Sequence, residues 1–229
     1  VKDMVEKTGS EVTKTQVTVE AVKIDLLTGK GQITGLTIAN PPGFNSDYVF
    51  RLQNVILGLD INSLTGPVIV ISQVTVDGAK LIAEQKGTTT NLSELKKNLD
   101  ASASNTDSEA SPDSADSSSS DIRFMMEHFS LTKTQGTIVT QQWGEQSLVL
   151  PDVIRDNIGN KKTGLTAEQL SSELLLSIIG QVEKATQGYL ENLAHDELSK
   201  RLKEELQTKL KVDDSAVDGA LKSLFNKFK

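Results

Sequence analysis

The chain has 229 residues, 37% of them hydrophobic but only 4% aromatic, and carries a formal charge of −7. That length can bury a real core, which must be aliphatic. The acidic balance argues against nucleic acid, which takes a concentrated basic face, and the absence of cysteine excludes disulfides and thiolate metal sites.

No apolar run approaches the ~20 residues that span a bilayer. Because the chain begins at Val1 rather than Met, it is expected to be a fragment whose upstream signal or membrane anchor has been cut away.

The first hundred residues read with a period of two. Val17, Val19 and Ala21 alternate, then Val22, Ile24 and Leu26 alternate in the opposite phase, which predicts a bulge. Thr28 to Gly31 turns the chain, and Ile33, Leu36 and Ile38 follow. At Asn40-Pro41-Pro42-Gly43 the strand must end, because proline donates nothing to a ladder and pushes the preceding residue out of the helical region. Phe44 is then expected to fold back on the sheet.

Val55, Leu57, Leu59 and Ile61 alternate, as do Val68, Val70, Val74 and Val76, and both sets are expected on one concave, apolar face. Gln53, Asn54, Asp60, Ser72 and Gln73 are expected to be wetter. Asp77-Gly78 reads as a two-residue hairpin, and Asn91 to Leu99 as a short helix with Leu92, Leu95 and Leu99 on one side. Two Leu-Thr-Gly triplets, at Leu27 and Leu64, lie 37 residues apart in similar strand–turn–strand surroundings. They suggest an elongated sheet built by repetition.

Residues 101–121 hold nine serines, five acidic residues and no aliphatic larger than alanine. Such a segment cannot offset its ordering entropy by burial and reads as a disordered linker. After it, hairpins are predicted at Gln135-Gly136 and at Gly144-Glu145. Thr166 and Gln169 form a capping box that starts a helix with Leu170, Leu174, Leu175, Ile178, Ile179 and Val182 on its apolar side. Leu198, Leu202, Leu206 and Leu210 recur every four residues. A final helix places Val217, Leu221, Leu224, Phe225 and Phe228 on one face, beside Lys222, Lys227 and Lys229; this face is expected to pack on the protein itself, with a membrane or partner contact as the alternative.

The expected fold class is therefore α+β: an elongated, curved, mostly antiparallel sheet forming an open groove, followed by C-terminal helices. The expected segments are 1–100 (sheet), 101–121 (linker), 122–164 (sheet continued) and 165–229 (helices).

The chemistry is sparse. His128 and His195 sit in unrelated segments without metal-ligand spacing. The run from Gly29 to Gly35 lacks the lysine–serine ending of a phosphate loop. Asp152, Asp156 and Asn157 fit turns better than a cation site. No catalytic residue, metal or cofactor is predicted.

Gly35, Leu36, Ile38, Asn40, Pro41, Gly43 and Phe44 fill the pattern G-L-x-I-x-N-P-x-G-F. Ser63-Leu64, Asp77-Gly78 and Asn91-Leu92 with Leu95 follow it in order. Together with the stretch from Leu148 to Leu170, this series resembles short, single-module AsmA-like proteins of the Gram-negative envelope. The resemblance covers about residues 1–99 and 122–185. It implies a periplasmic protein held at the inner membrane by an N-terminal anchor, with an apolar groove serving lipid binding, lipid transport or envelope maintenance. Val55, Leu57, Leu59, Ile61, Val68, Val70, Val74 and Val76 would be the groove-facing residues. The implied partner is phospholipid or a membrane surface. The alternative is an envelope scaffold whose helices bind a partner protein and whose groove is filled by its own helix. A single short module departs from the large family members, which puts bulk transfer between two membranes in doubt.

Overall fold

A computed structural model describes residues 1–106 and 122–210, with side chains for 1–102 and 122–205. The chain forms two compact units, Val1–Ala185 and Thr186–Lys229. The described part of the second unit is the continuation of one long helix. The final helix expected beyond Asp213, and most of the serine-rich linker, lie outside the described residues.

The first unit is an α+β fold around one open, eleven-stranded sheet. Helix α1 (Lys2–Thr13) precedes β1 (Val17–Thr18), β2 (Ala21–Asp25), β3 (Lys30–Ala39) and β4 (Tyr48–Leu59). A 3-10 turn at Ile61–Thr65 leads to β5 (Val68–Asp77), β6 (Lys80–Lys86) and β7 (Thr89–Thr90). Helix α2 (Asn91–Thr106) follows. Then come β8 (Arg123–Thr132), β9 (Gln135–Thr140), β10 (Gly144–Val149), β11 (Val153–Ile158) and helix α3 (Ala167–Leu210). The capping box at the start of α3 is formed in both directions: Gln169 N–H donates to Thr166 Oγ1 at 3.2 Å, and Thr166 N–H to Gln169 Oε1 at 3.0 Å. Helix α2 runs seven residues beyond Leu99, so residues 101–106 are helical rather than linker.

Several short strands are halves of longer ones. β5 and β6 both pair antiparallel with β4 in one register: Val55 faces Val76, and Arg51 faces Lys80. The same two strands run parallel to β8 and β9, with Asp77 opposite Thr132 and Lys80 opposite Gln135. β11 and β10 likewise continue one another along β8 and β9. Asp77-Gly78 is therefore not a hairpin, as the sequence suggests, but a point where the strand bends and carries on, and Gln135-Gly136 lies inside β9, just past such a bend at Lys133. The hairpin expected at Gly144-Glu145 forms slightly earlier, with its turn at Gln141–Trp143 and Gly144 opposite Thr140 inside the ladder.

The bends lie on one line. The ladders omit Glu20, Gly35, Gln53, Gly78, Lys133 and Pro151, and the flanking registers place these residues side by side across the sheet. Gly35, Gly78 and Lys133 have φ of 64°, 78° and 52°, the left-handed conformation of a bulge. This crease exchanges the two faces of every strand that crosses it. It accounts for the slip between Val19 and Val22 seen in the sequence. The Val19 N–H, freed from the ladder there, donates to Glu6 Oε1 at 2.7 Å and so ties α1 to the sheet.

On one side of the crease, α2 covers β6 and buries Leu92, Leu95 and Leu99 completely beside Leu81 and Ala83. Each such leucine contributes about 1.5–3 kcal/mol by burial. Ser102 Oγ and Asn98 Nδ2 donate to the carbonyls of Val12 and Thr13, fastening α2 to the end of α1. The strand end at Asn40-Pro41-Pro42-Gly43 is held by Glu84, which is only 4% exposed. Its carboxylate accepts from the N–H groups of Asn45 (2.8 Å) and Ser46 (2.7 Å) and from Asn40 Nδ2 (3.3 Å). Phe44, expected as the plug of this loop, is half-buried.

Candidate functional site: an apolar groove

The rest of the sheet face that carries α2, on both sides of the crease, is not covered by that helix. A groove of about 540 Å³ remains, lined by β1, β2, β3, β4, β5 and β8, by the first turns of α1, and by the start of α3. This volume falls within the range of sites that hold small molecules, about 300–1,000 Å³.

The chemistry of the wall is uniform. Val22, Ile24, Ile33, Val55, Leu57, Val74, Val76, Phe129 and Leu131 line it below the crease, and Val17, Leu36, Ile38, Phe50 and Leu52 above it. Leu170, Leu174, Leu175 and Ile178 of α3 form the opposite wall. Among the described residues, Thr8, Thr13 and Ser171 are its only side chains with a polar oxygen or nitrogen, and none is charged. Thr13 Oγ1 already donates to the Gly9 carbonyl at 2.7 Å. A ligand group inside this groove finds aliphatic carbon and almost nothing to hydrogen-bond, so a buried charge would be strongly disfavoured and a hydrocarbon chain favoured.

Of the eight residues expected to face the groove, Val55, Leu57, Leu59, Val74 and Val76 line it. Val68, Val70 and Ile61 do not, and each departure has a local cause. The β4–β5 register shifts between Gly58 and Leu59, where Gly58 faces Gln73 and Leu59 faces Ile71. Ser72 is the extra residue. The bulge reverses the phase of the preceding stretch, so Ile69 and Ile71 line the groove. Val68 and Val70 are buried on the other face, Val68 beside Gly164. Ile61 lies in the 3-10 turn that Asp60 caps through the Asn62 N–H, and it is 45% exposed. The outer positions Gln53, Asn54 and Gln73 are exposed, while Asp60 and Ser72 are half-buried.

Sequence reasoning missed the share taken by Phe124, Met126, Phe129 and Leu131 of β8. Phe124 and Met126 stand in the opposite phase to Phe129 and Leu131, and their place beside β5 depends on a parallel pairing that bridges the serine-rich segment. Val217, Leu221, Leu224, Phe225 and Phe228 lie outside the described residues.

Among the described residues, polar groups elsewhere do not assemble into a second site. His128 Nδ1 and Asp156 Oδ1 are 2.5 Å apart on the surface, while Asp152 accepts from the Lys133 N–H at 3.2 Å, so the two aspartates serve different partners. Among the described residues no three His, Asp or Glu side chains converge as a metal site, and no helix is long and apolar enough to cross a membrane. No family model matches the chain, and no curated protein matches it.

Proposed function

We propose that this protein is a non-enzymatic, membrane-tethered periplasmic module that holds the hydrocarbon chain of a lipid in its groove, in the manner of the AsmA-like proteins it resembles. The observation that carries this reading is an open groove of about 540 Å³ without a charged side chain in its wall. Each methylene buried there contributes about 0.8 kcal/mol, so ten give roughly 8 kcal/mol before ordering costs, enough for micromolar retention. Recognition of a head group is left to the rim, because the interior offers it no partner.

Native mass spectrometry and lipid extraction of protein purified without detergent test the reading. Co-purifying phospholipid or fatty acid is expected, together with saturable uptake of a fluorescent fatty acid. Leu57→Trp, which fills the groove, should abolish both while the circular dichroism spectrum is retained. Wild-type protein that carries no lipid and takes up no probe overturns the proposal.

The runner-up is an envelope scaffold, favoured by the share that α3 takes in covering the groove through Leu170, Leu174, Leu175 and Ile178. In that case the probe is excluded and Leu57→Trp lowers stability instead.

A further inference from the structure

The turn between β2 and β3 presents Leu26 and Leu27, and Leu27 is 89% exposed. The turn is firmly built. Asp25 Oδ1 accepts from the N–H groups of Leu27 (2.9 Å) and Thr28 (3.3 Å). Gly29 takes φ 66°, and its carbonyl accepts from the Leu59 N–H at 2.6 Å. A well-braced turn that holds leucine in water forgoes burial that a polar residue would not need.

Other exposed aliphatic side chains share this end of the sheet. Ile61 packs beside Gly29 and is 45% exposed, and Ile122, just before β8, is 42% exposed. Leu26 and Ile122 also line the groove, so the exposed apolar rim is continuous with the groove wall.

The charges here are complementary to an anionic surface. Lys30 opens β3, Arg123 opens β8, and Lys161 and Lys162 lie in the adjoining loop, where Gly164 packs on Arg123. Asp25, Asp60 and Glu127 stand among them: Asp25 is held by the turn, Asp60 by the Asn62 N–H, and Glu127 by Lys161 at 2.8 Å, so Lys161 is not among the cations offered to a partner. Aliphatic side chains with Lys30, Arg123 and Lys162 beside them suit an interface of acyl chains and anionic head groups.

We propose that this end of the sheet docks on an anionic lipid surface, with Leu27 and Ile61 entering the interface and acyl chains passing into the groove at Leu26 and Ile122. The proposal rests on the acyl-groove reading above and assigns it a mouth.

The test uses the full chain with vesicles of phosphatidylcholine alone and with one quarter phosphatidylglycerol. Partitioning is compared for wild type, Leu27→Asp and Lys162→Glu, alongside uptake of a fluorescent fatty acid presented in solution. Neither substituted residue lines the groove. Leu27→Asp should weaken vesicle binding by roughly tenfold or more and leave uptake of the soluble probe unchanged. Lys162→Glu should weaken binding to the anionic vesicles alone, with the difference vanishing at high salt. Wild-type binding to both variants overturns the docking surface even if the probe is taken up, and shows that membrane contact is made elsewhere. Leu27-dependent vesicle binding without probe uptake by wild type sustains the docking surface and overturns the groove reading.

Discussion

Glu84 should be the most sensitive polar position of the first unit. Glu84→Ala removes the acceptor from three donors: the N–H groups of Asn45 and Ser46, and Asn40 Nδ2. Hydrogen bonds to a charged group contribute about 1.5–3 kcal/mol each. Asn45 is exposed and Ser46 and Asn40 are half-buried, so water recovers part of the loss. The expected cost is about 3 kcal/mol, a fall in Tm of roughly 6–12 °C for a chain of this size.

The pH dependence has a definite sign. Burial alone would raise the Glu84 pKa, but the hydrogen bonds from Ser46, Asn45 and Asn40 outweigh it and hold the pKa below its ordinary value of 4.5. The carboxylate therefore contributes its full stability above that value and loses it as pH falls through the folded pKa. Urea unfolding followed by circular dichroism at pH 7 and at several values below 4.5 should show wild type and Glu84→Gln converging in acid. Hydrogen exchange of residues 40–47 should quicken in both variants. A Glu84→Ala protein within about 0.5 kcal/mol of wild type at pH 7 would refute the idea that this carboxylate latches the loop.

Three further outcomes follow from the backbone. Gly78→Ala should cost only about 1 kcal/mol in an unfolding titration, since φ is 78° but the added Cβ meets nothing within 4 Å. Gly29→Ala should cost clearly more, roughly 3 kcal/mol, because its Cβ would lie 2.3 Å from the Leu59 carbonyl oxygen, and equal values for the two glycines would contradict the close packing of the β2–β3 turn. Thr166→Ala should lower stability by about 1 kcal/mol through loss of the reciprocal cap, and an unchanged midpoint would show that α3 is fixed by packing alone.

What could be read in the sequence was what short stretches of chain decide alone. The cap at Thr166, the alternation of Val55, Leu57 and Leu59, the abrupt strand end at Asn40 and the hairpin before Gly144 all rest on neighbours a few residues away. Gly78 shows where such reading stops. A glycine with positive φ after aspartate serves a two-residue turn or a bulge equally well, and only the partner strand chooses between them. β4 is long enough to pair with both β5 and β6, so the chain bends where it was expected to reverse. Ile61 keeps the alternation by coincidence, while Asp60 diverts the backbone into a 3-10 turn. Val68 and Val70 misled for the same reason as Gly78, because the bulge at Ser72 is set by the register with β4. The groove was legible as an apolar face, but its wall on β8 was not.

The crease also works as a frame change written into each strand. Apart from the bulge at Ser72, a strand alternates on either side of it, but the frame slips by one residue at the crossing. Were β5 to run into β6 in a single frame with every residue kept, Lys80, Ile82 and Glu84 would take the places of Leu81 and Ala83 under α2, although no residue of the core had been altered. Any strand added to either open edge by duplication would need its own slip at the same height to extend the groove. Distant relatives with longer sheets should thus be recognisable by apolar alternation that changes phase at the same height in every strand, rather than by any conserved side chain.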